Sequence, residues 1–133
     1  MKKLALVLAA AAVLAAPAAI NAKPRLTPQQ QLDKLLEGRV AGKPVSCIST
    51  FDSREQQVID KTAIVYDSGP VIYVNRTTNP ESLDSDDVQV IKIWGSQLCR
   101  LDTIQLHDRS GGFWQGFVGL ENFVPYRKAP KAG

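Results

Sequence analysis

Apolar positions change rhythm twice along this chain. An unbroken apolar run, Leu4 to Ala16, comes first. A helical spacing at Leu32, Leu35 and Leu36 follows, with Asp33, Lys34 and Glu37 on the opposite face. From Val45 onward the texture is β-branched, aromatic and alternating. The helix has a marked start: Thr27 suits the N-cap, Pro28 the first helical position, and Gln30 completes a capping box. Leu26 and Gln31 form no hydrophobic staple. Gly38 or Gly42 ends the helix and Pro44 forbids its continuation. So short a helix must dock on something to persist.

The β half predicts about six short strands. Val45–Thr50 alternates weakly. Thr62–Tyr66 and Val71–Asn75 form the clearest hairpin, with Asp67-Ser68-Gly69-Pro70 between them, where Gly supplies positive φ and Pro fixes re-entry. Arg76–Asp87 reads as a polar loop. Val88–Trp94 is a strand whose parity slips between Val90 and Ile91, as a bulge or a doubly buried strand would require. Asp102–His107 alternates cleanly, with Ile104 and Leu106 inward and Thr103, Gln105 and His107 outward. Phe117-Val118 and Phe123-Val124 suggest one or two further strands, with Phe117 and Phe123 buried. The expected class is α+β, mostly β: one short helix, then an antiparallel sheet curled into a small barrel or sandwich.

The leading run changes the picture of location. Met1-Lys2-Lys3 is a positive n-region, Leu4–Ala16 an h-region, and Ile20-Asn21-Ala22 offers a small residue before a cut. The expectation is a signal peptide over 1–22, a disulfide-bridged β-rich domain over 23–128 and a loose tail over 129–133. The alternative is a membrane anchor. Seventeen residues to Ile20 reach the lower edge of a span, but nine are Ala and Pro17 lies inside. No Cys follows the expected cut. Cleavage leaves 111 residues with fourteen basic and thirteen acidic side chains, a net +1. That balance offers no electrostatic footprint for nucleic acid.

Two cysteines, Cys47 and Cys99, fall in the mature part, an even count that in an exported chain reads as one bridge. They form no Cys-x-x-Cys, so a redox pair is the weaker reading. Cys47-Ile48, Val58-Ile59-Asp60 and Cys99-Arg100-Leu101, with Gly95-Ser96-Gln97-Leu98-Cys99, resemble motifs of a group of exported proteobacterial proteins of unknown function, of the sphingomonad type. The resemblance spans roughly residues 35–126. It implies an envelope location and paired cysteines, and it brings no activity.

Candidate chemistry is sparse. His107 is the sole histidine, faces water by alternation, and has no nucleophile in a known motif nearby; Ser96 and Ser110 sit in ordinary Gly-containing turns. One histidine and no free cysteine exclude the usual zinc sets. Asp84-Ser85-Asp86-Asp87 is acidic, but an EF-hand register would place Gln89 where Gly belongs and Gly95 where Glu belongs. Gly111–Gly119 is rich in glycine but no helical pattern follows, so it is no phosphate loop. No cofactor motif is present. Asn75-Arg76-Thr77 matches a glycosylation sequon, read as coincidence in a bacterial chain.

Five of the nine aromatic residues lie between Phe113 and Tyr126. Adjacent Phe113 and Trp114 point to opposite faces if extended, so the core takes one and leaves the other exposed. Trp114, with Phe113, is the candidate binding residue. The expected role is a non-catalytic binding or structural module of the envelope, facing an envelope protein or glycan, with no stable membrane span after cleavage. The alternatives are an inhibitor of an envelope-attacking enzyme such as lysozyme and, behind it, a small periplasmic enzyme.

Overall fold

The computed structural model describes residues 15–17 and 23–131; the expected signal peptide therefore lies almost wholly outside the described residues. Among those residues, no helix is long and apolar enough to cross a membrane.

The helix forms where its caps place it. α1 runs Pro28–Leu35, Thr27 Oγ1 accepts from the Gln30 amide, and the Gln30 side chain accepts from the Thr27 amide, completing the capping box. Gly38 follows at φ +72°, a left-handed position that turns the chain into β1, Arg39–Ala41. The remaining strands are β2 Cys47–Ser49, β3 Glu55–Ile59, β4 Ala63–Asp67, β5 Val71–Asn75, β6 Val88–Ile91, β7 Gln97–Cys99, β8 Thr103–His107, β9 Trp114–Gly119 and β10 Phe123–Lys128.

These strands make three antiparallel sheets: β1-β10-β5-β4-β3, β2-β7 and β6-β8-β9. The expected α+β, mostly β class holds, and none of the sheets closes into a barrel. The five-stranded sheet is buried on both faces. One face packs Ile59, Ala63, Val65, Ile72 and Val74 under Leu32 of α1, with Leu35 and Leu36 beside it. The other turns Ile64, Tyr66 and Phe123 toward the two smaller sheets, which contribute Ile48, Leu98, Ile104, Leu106 and Val118. This double burial explains why β4 and β5 read as continuous apolar runs rather than alternations.

The hairpin is closed as its sequence suggested. Gly69 sits at φ +92°, Asp67 Oδ1 accepts the Gly69 amide at 2.7 Å, and the Ser68 amide donates to the Val71 carbonyl at 3.0 Å. The Arg39 guanidinium, donating to the carbonyls of Pro70 and Tyr126 at 3.2 Å, ties this turn to the sheet edge.

Cys47 and Cys99 are bonded, with Cα atoms 4.0 Å apart, and stand directly opposite each other in the β2-β7 ribbon. Bonds from the Thr50 amide to the Ser96 carbonyl and from the Arg100 amide to the Ser46 carbonyl flank the pair. The cysteines therefore occupy the closer, non-hydrogen-bonded position of the ladder, where two Cβ atoms come within bridging reach.

One expected irregularity is elsewhere. β6 pairs with β8 without a shift, from Val88 opposite His107 to Ile91 opposite Ile104. Gln89 and Ile91 thus point inward and Val88 and Val90 outward, so the apparent slip at Val90 and Ile91 is no bulge. The strand simply ends at Ile91, and Ile93 and Trp94 belong to the following turn.

Candidate functional site

The register shift lies in β9. Leu106 pairs with Gly116 but His107 pairs with Trp114, which leaves Gln115 without a partner, and Gly116 sits at φ +126°. Only glycine adopts that φ readily. One extra residue reverses side-chain parity along the strand. Trp114 and Phe117, three residues apart, would face opposite sides of a regular strand; the bulge carries both to the solvent side.

Two sequence-based expectations are thereby corrected. Phe117 is 56% exposed, not buried, because its neighbour Val118 takes the inward position opposite Ile104. Phe113 and Trp114 do not divide between core and water: they are 73% and 62% exposed. Phe113 lies in the β8–β9 turn before the strand begins, so strand alternation does not govern it. Its ring covers Gly111, where a Cβ would meet Phe113 Cε2 at 2.6 Å. Phe123 is fully buried, as expected, with its ring edge-on to Tyr66 at a centroid distance of 5.7 Å.

Across the outer face of β6-β8-β9 the residues stand in rows. Val88, His107 and Trp114 form one, and Val90, Gln105 and Phe117 the next. Opposed side chains in such rows lie close enough to act as one surface. Beyond the second row the face continues into a groove of about 630 Å³, lined by Val90, Trp94, Leu101, Thr103 and Gln105. Lys92 Nζ lies 4.9 Å from the Trp94 ring centroid. The face is therefore apolar at both sides with a polar middle strand.

The turn that presents Phe113 is rigid by construction. The Asp108 carboxylate accepts from the amides of Gly111 and Phe113 and from Ser110 Oγ. Those donors, Gly111 first, hold its carboxyl below the usual range. His107 is half-exposed; its Nδ1 donates to the Gly112 carbonyl at 3.1 Å, and Nε2 lies 3.3 Å from the Gln105 side-chain oxygen. It braces the turn.

The acidic run shapes a loop. Asp84 Oδ1 accepts the Asp86 amide at 2.8 Å, and Asp60 Oδ1 accepts the Ser85 amide at 2.6 Å. Desolvation, then the charges of Asp84, Asp108 and Asp86, raise the Asp87 carboxyl. Among the described residues, no three His, Cys, Asp or Glu side chains converge as a metal set would. The Asn75 sequon is structural: its side chain is fully buried, Nδ2 donates to the Glu121 carbonyl at 2.7 Å, and Oδ1 accepts the Glu121 and Thr77 amides at 3.0 Å.

A second concavity is an open cleft of about 310 Å³ at the junction of the three sheets. Ile48 and Leu98 reach it from the bridged ribbon, Ile91 from β6, and Gln56 and Tyr66 from the large sheet, with Arg54 and Glu55 also lining it. Sequence reasoning missed it, because its walls come from strands far apart in the chain.

Comparison with known proteins finds no matching family model, no similar curated protein and no similar solved structure.

Proposed function

We propose that this protein is exported to an oxidising compartment and acts there as a non-catalytic binding module. Its recognition surface, in this reading, is the outer face of β6-β8-β9, and its partner is another envelope protein. One observation carries the proposal: the bulge at Gln115 sets Trp114 and Phe117 on the same exposed face as Val88 and Val90, across His107 and Gln105 of the middle strand. Several large exposed apolar side chains grouped on one face of a small protein mark a site of association, and tryptophan is enriched among residues that dominate protein–protein binding. Val88, Val90 and Leu101 favour a protein over a glycan, because aliphatic side chains offer no ring to stack on sugar. The Cys47–Cys99 bond is compatible with an oxidising compartment. The apolar run at residues 4–16 and the resemblance to exported proteobacterial proteins support the export route and the envelope location.

The test joins location to surface. N-terminal sequencing of the protein from its native envelope fraction should begin at or near Lys23; retention of Met1 would refute processing. A photo-crosslinking amino acid at position 117 should then trap one defined envelope protein. Trp114→Ala should abolish that adduct while keeping stability within about 1 kcal/mol, as expected of an exposed anchor. Lys34→Ala, on the exposed side of α1, should leave it intact. Co-sedimentation with peptidoglycan and no protein adduct would replace the protein partner by a glycan. An adduct indifferent to Trp114→Ala would refute the surface.

A further inference from the structure

The shape of the outer face of β6-β8-β9 bears on what covers it, granted that this face is the recognition surface proposed above. The face carries a ridge and a groove at opposite corners. Trp114 and Phe117 stand on β9, at one edge of the sheet, and Trp114 shares the end row with Val88 and His107. The groove opens from the other edge and toward the other end, lined by Val90, Lys92, Thr103 and Leu101. Its volume, about 630 Å³, is in the range that accepts drug-sized molecules, so it has room for an indole and a phenyl ring.

A ridge and a groove on one face make that face complementary to itself. A two-fold axis in the plane of the face, passing near Gln105, exchanges the two corners, so that the ridge of each copy enters the groove of the other. Gln105 then meets its own counterpart, and an amide side chain carries both a donor and an acceptor for such a pair. The charges agree with the exchange. Asp84, Asp86, Asp87 and Asp108 cluster at the Trp114 end, with Arg109 beside them. Lys92 lines the groove end and Arg100 is exposed next to Leu101, while Asp102 there is half-buried and accepts the Cys99 amide. The acidic end of each copy thus approaches the basic end of the other. A mature net charge of +1 adds little repulsion between copies.

The area also suffices. Trp94, Trp114 and Phe117 are 80%, 62% and 56% exposed. At about 150–250 Å² per ring they offer roughly 400 Å² per copy. Leu101, Val88, Val90 and the polar strand between them bring the patch toward the ~800 Å² per partner of a standard stable interface.

We infer that the partner of this face is a second copy of the chain, in a symmetric dimer that seats Trp114 and Phe117 of each copy in the groove beside Leu101 of the other.

Sedimentation equilibrium of the full mature protein tests this. It should show a reversible dimer with a dissociation constant in the micromolar range or below. Trp114→Ala removes the ridge. Thr103→Arg, at an exposed position on β8, fills the groove. Each should weaken the dimer by about 30-fold or more, the loss of a hot-spot contact. Lys34→Ala should sediment as wild type does. Mixed together, the Trp114→Ala and Thr103→Arg variants should associate with each other more tightly than either does with itself, because only the mixed pair keeps one ridge-in-groove contact. A monomer at about 100 μM, a dimer indifferent to both variants, or a mixture no tighter than its parts would overturn the inference. In any of those cases an adduct from position 117 to a different envelope protein, lost in Trp114→Ala, would still uphold the face as a recognition surface. Adducts that Trp114→Ala leaves unchanged would remove the face itself.

Discussion

Asn75→Ala should be among the most damaging single substitutions of a polar residue in this protein. Three hydrogen bonds converge on that side chain, which has no exposed surface. Two of them, to Glu121, fasten the end of β5 to the β9–β10 turn, so the fifth strand and the last hairpin share one fixed point. Truncation leaves the Thr77 amide buried without a partner, a loss of about 1–3 kcal/mol. The two bonds to Glu121 are only part-buried and water can replace them in part, which adds about 1 kcal/mol. The sum is about 3 kcal/mol. At a urea slope of about 1.5 kcal/mol/M for a domain of this size, the unfolding midpoint should fall by about 2 M.

Asn79 provides the control. It too bridges to β9, donating to the Phe117 carbonyl at 2.8 Å and accepting the Gly119 amide at 3.2 Å, but it is half-exposed. Asn79→Ala should therefore lower the midpoint by less than about 1 M, since solvent satisfies what the side chain leaves. Equal shifts for the two variants, or a fall below about 0.5 M for Asn75→Ala, would show that burial does not set the cost of these bonds.

Removing the bridge by the double change Cys47→Ala and Cys99→Ala, separated by 52 positions, should cost up to about 4 kcal/mol by loop-closure entropy, and non-reducing mass spectrometry of the wild type should find one intrachain link and no free thiol. Thr77→Gly should raise stability by about 0.5–1 kcal/mol in thermal melts: Thr77 is a β-branched residue at φ +55° with a buried unpaired hydroxyl, and relief of both outweighs the lost methyl contact and added chain entropy. The Asp108 carboxyl is held low in the folded state, so its contribution is complete above the unfolded carboxylate value and disappears as pH falls through the folded one; the Gly111 and Phe113 amide signals should move together in that acid window, and movement at or above the ordinary carboxylate value would contradict the turn geometry.

What was legible in the chain was what neighbouring residues decide among themselves. Thr27, Pro28 and Gln30 cap a helix locally, and Asp67-Ser68-Gly69-Pro70 closes a hairpin locally. The bridge was legible because two cysteines permit one intramolecular pairing. β1 and β3 were not legible: Arg39-Val40-Ala41 and Glu55-Gln56-Gln57-Val58-Ile59 lack strong strand patterning, and pairing with β10 and β4 makes them strands. Nor was the face of Phe117 legible, since parity along β9 depends on Gln115 lacking a partner across the sheet. No local rule contains that fact.

The same error in parity bears on why the protein has its aromatic residues. Read as alternation, Phe117 joins Phe123 in the core, and the aromatic C-terminal stretch looks like ordinary packing. With the bulge in place, Phe51, Trp94, Phe113, Trp114 and Phe117 are all exposed, five of nine aromatic side chains. The buried clusters are built mostly from Ile, Leu and Val, with Tyr66 and Phe123 the fully buried rings among the described residues. A domain of about 110 residues has limited surface to bury, and each large ring left in water forgoes roughly 1.5–3 kcal/mol of available stabilisation. The disulfide and the buried Asn75 junction stabilise the fold by other means. Fold stability therefore gives no reason for the exposed rings, whereas a partner that covers Trp114 and Phe117 does.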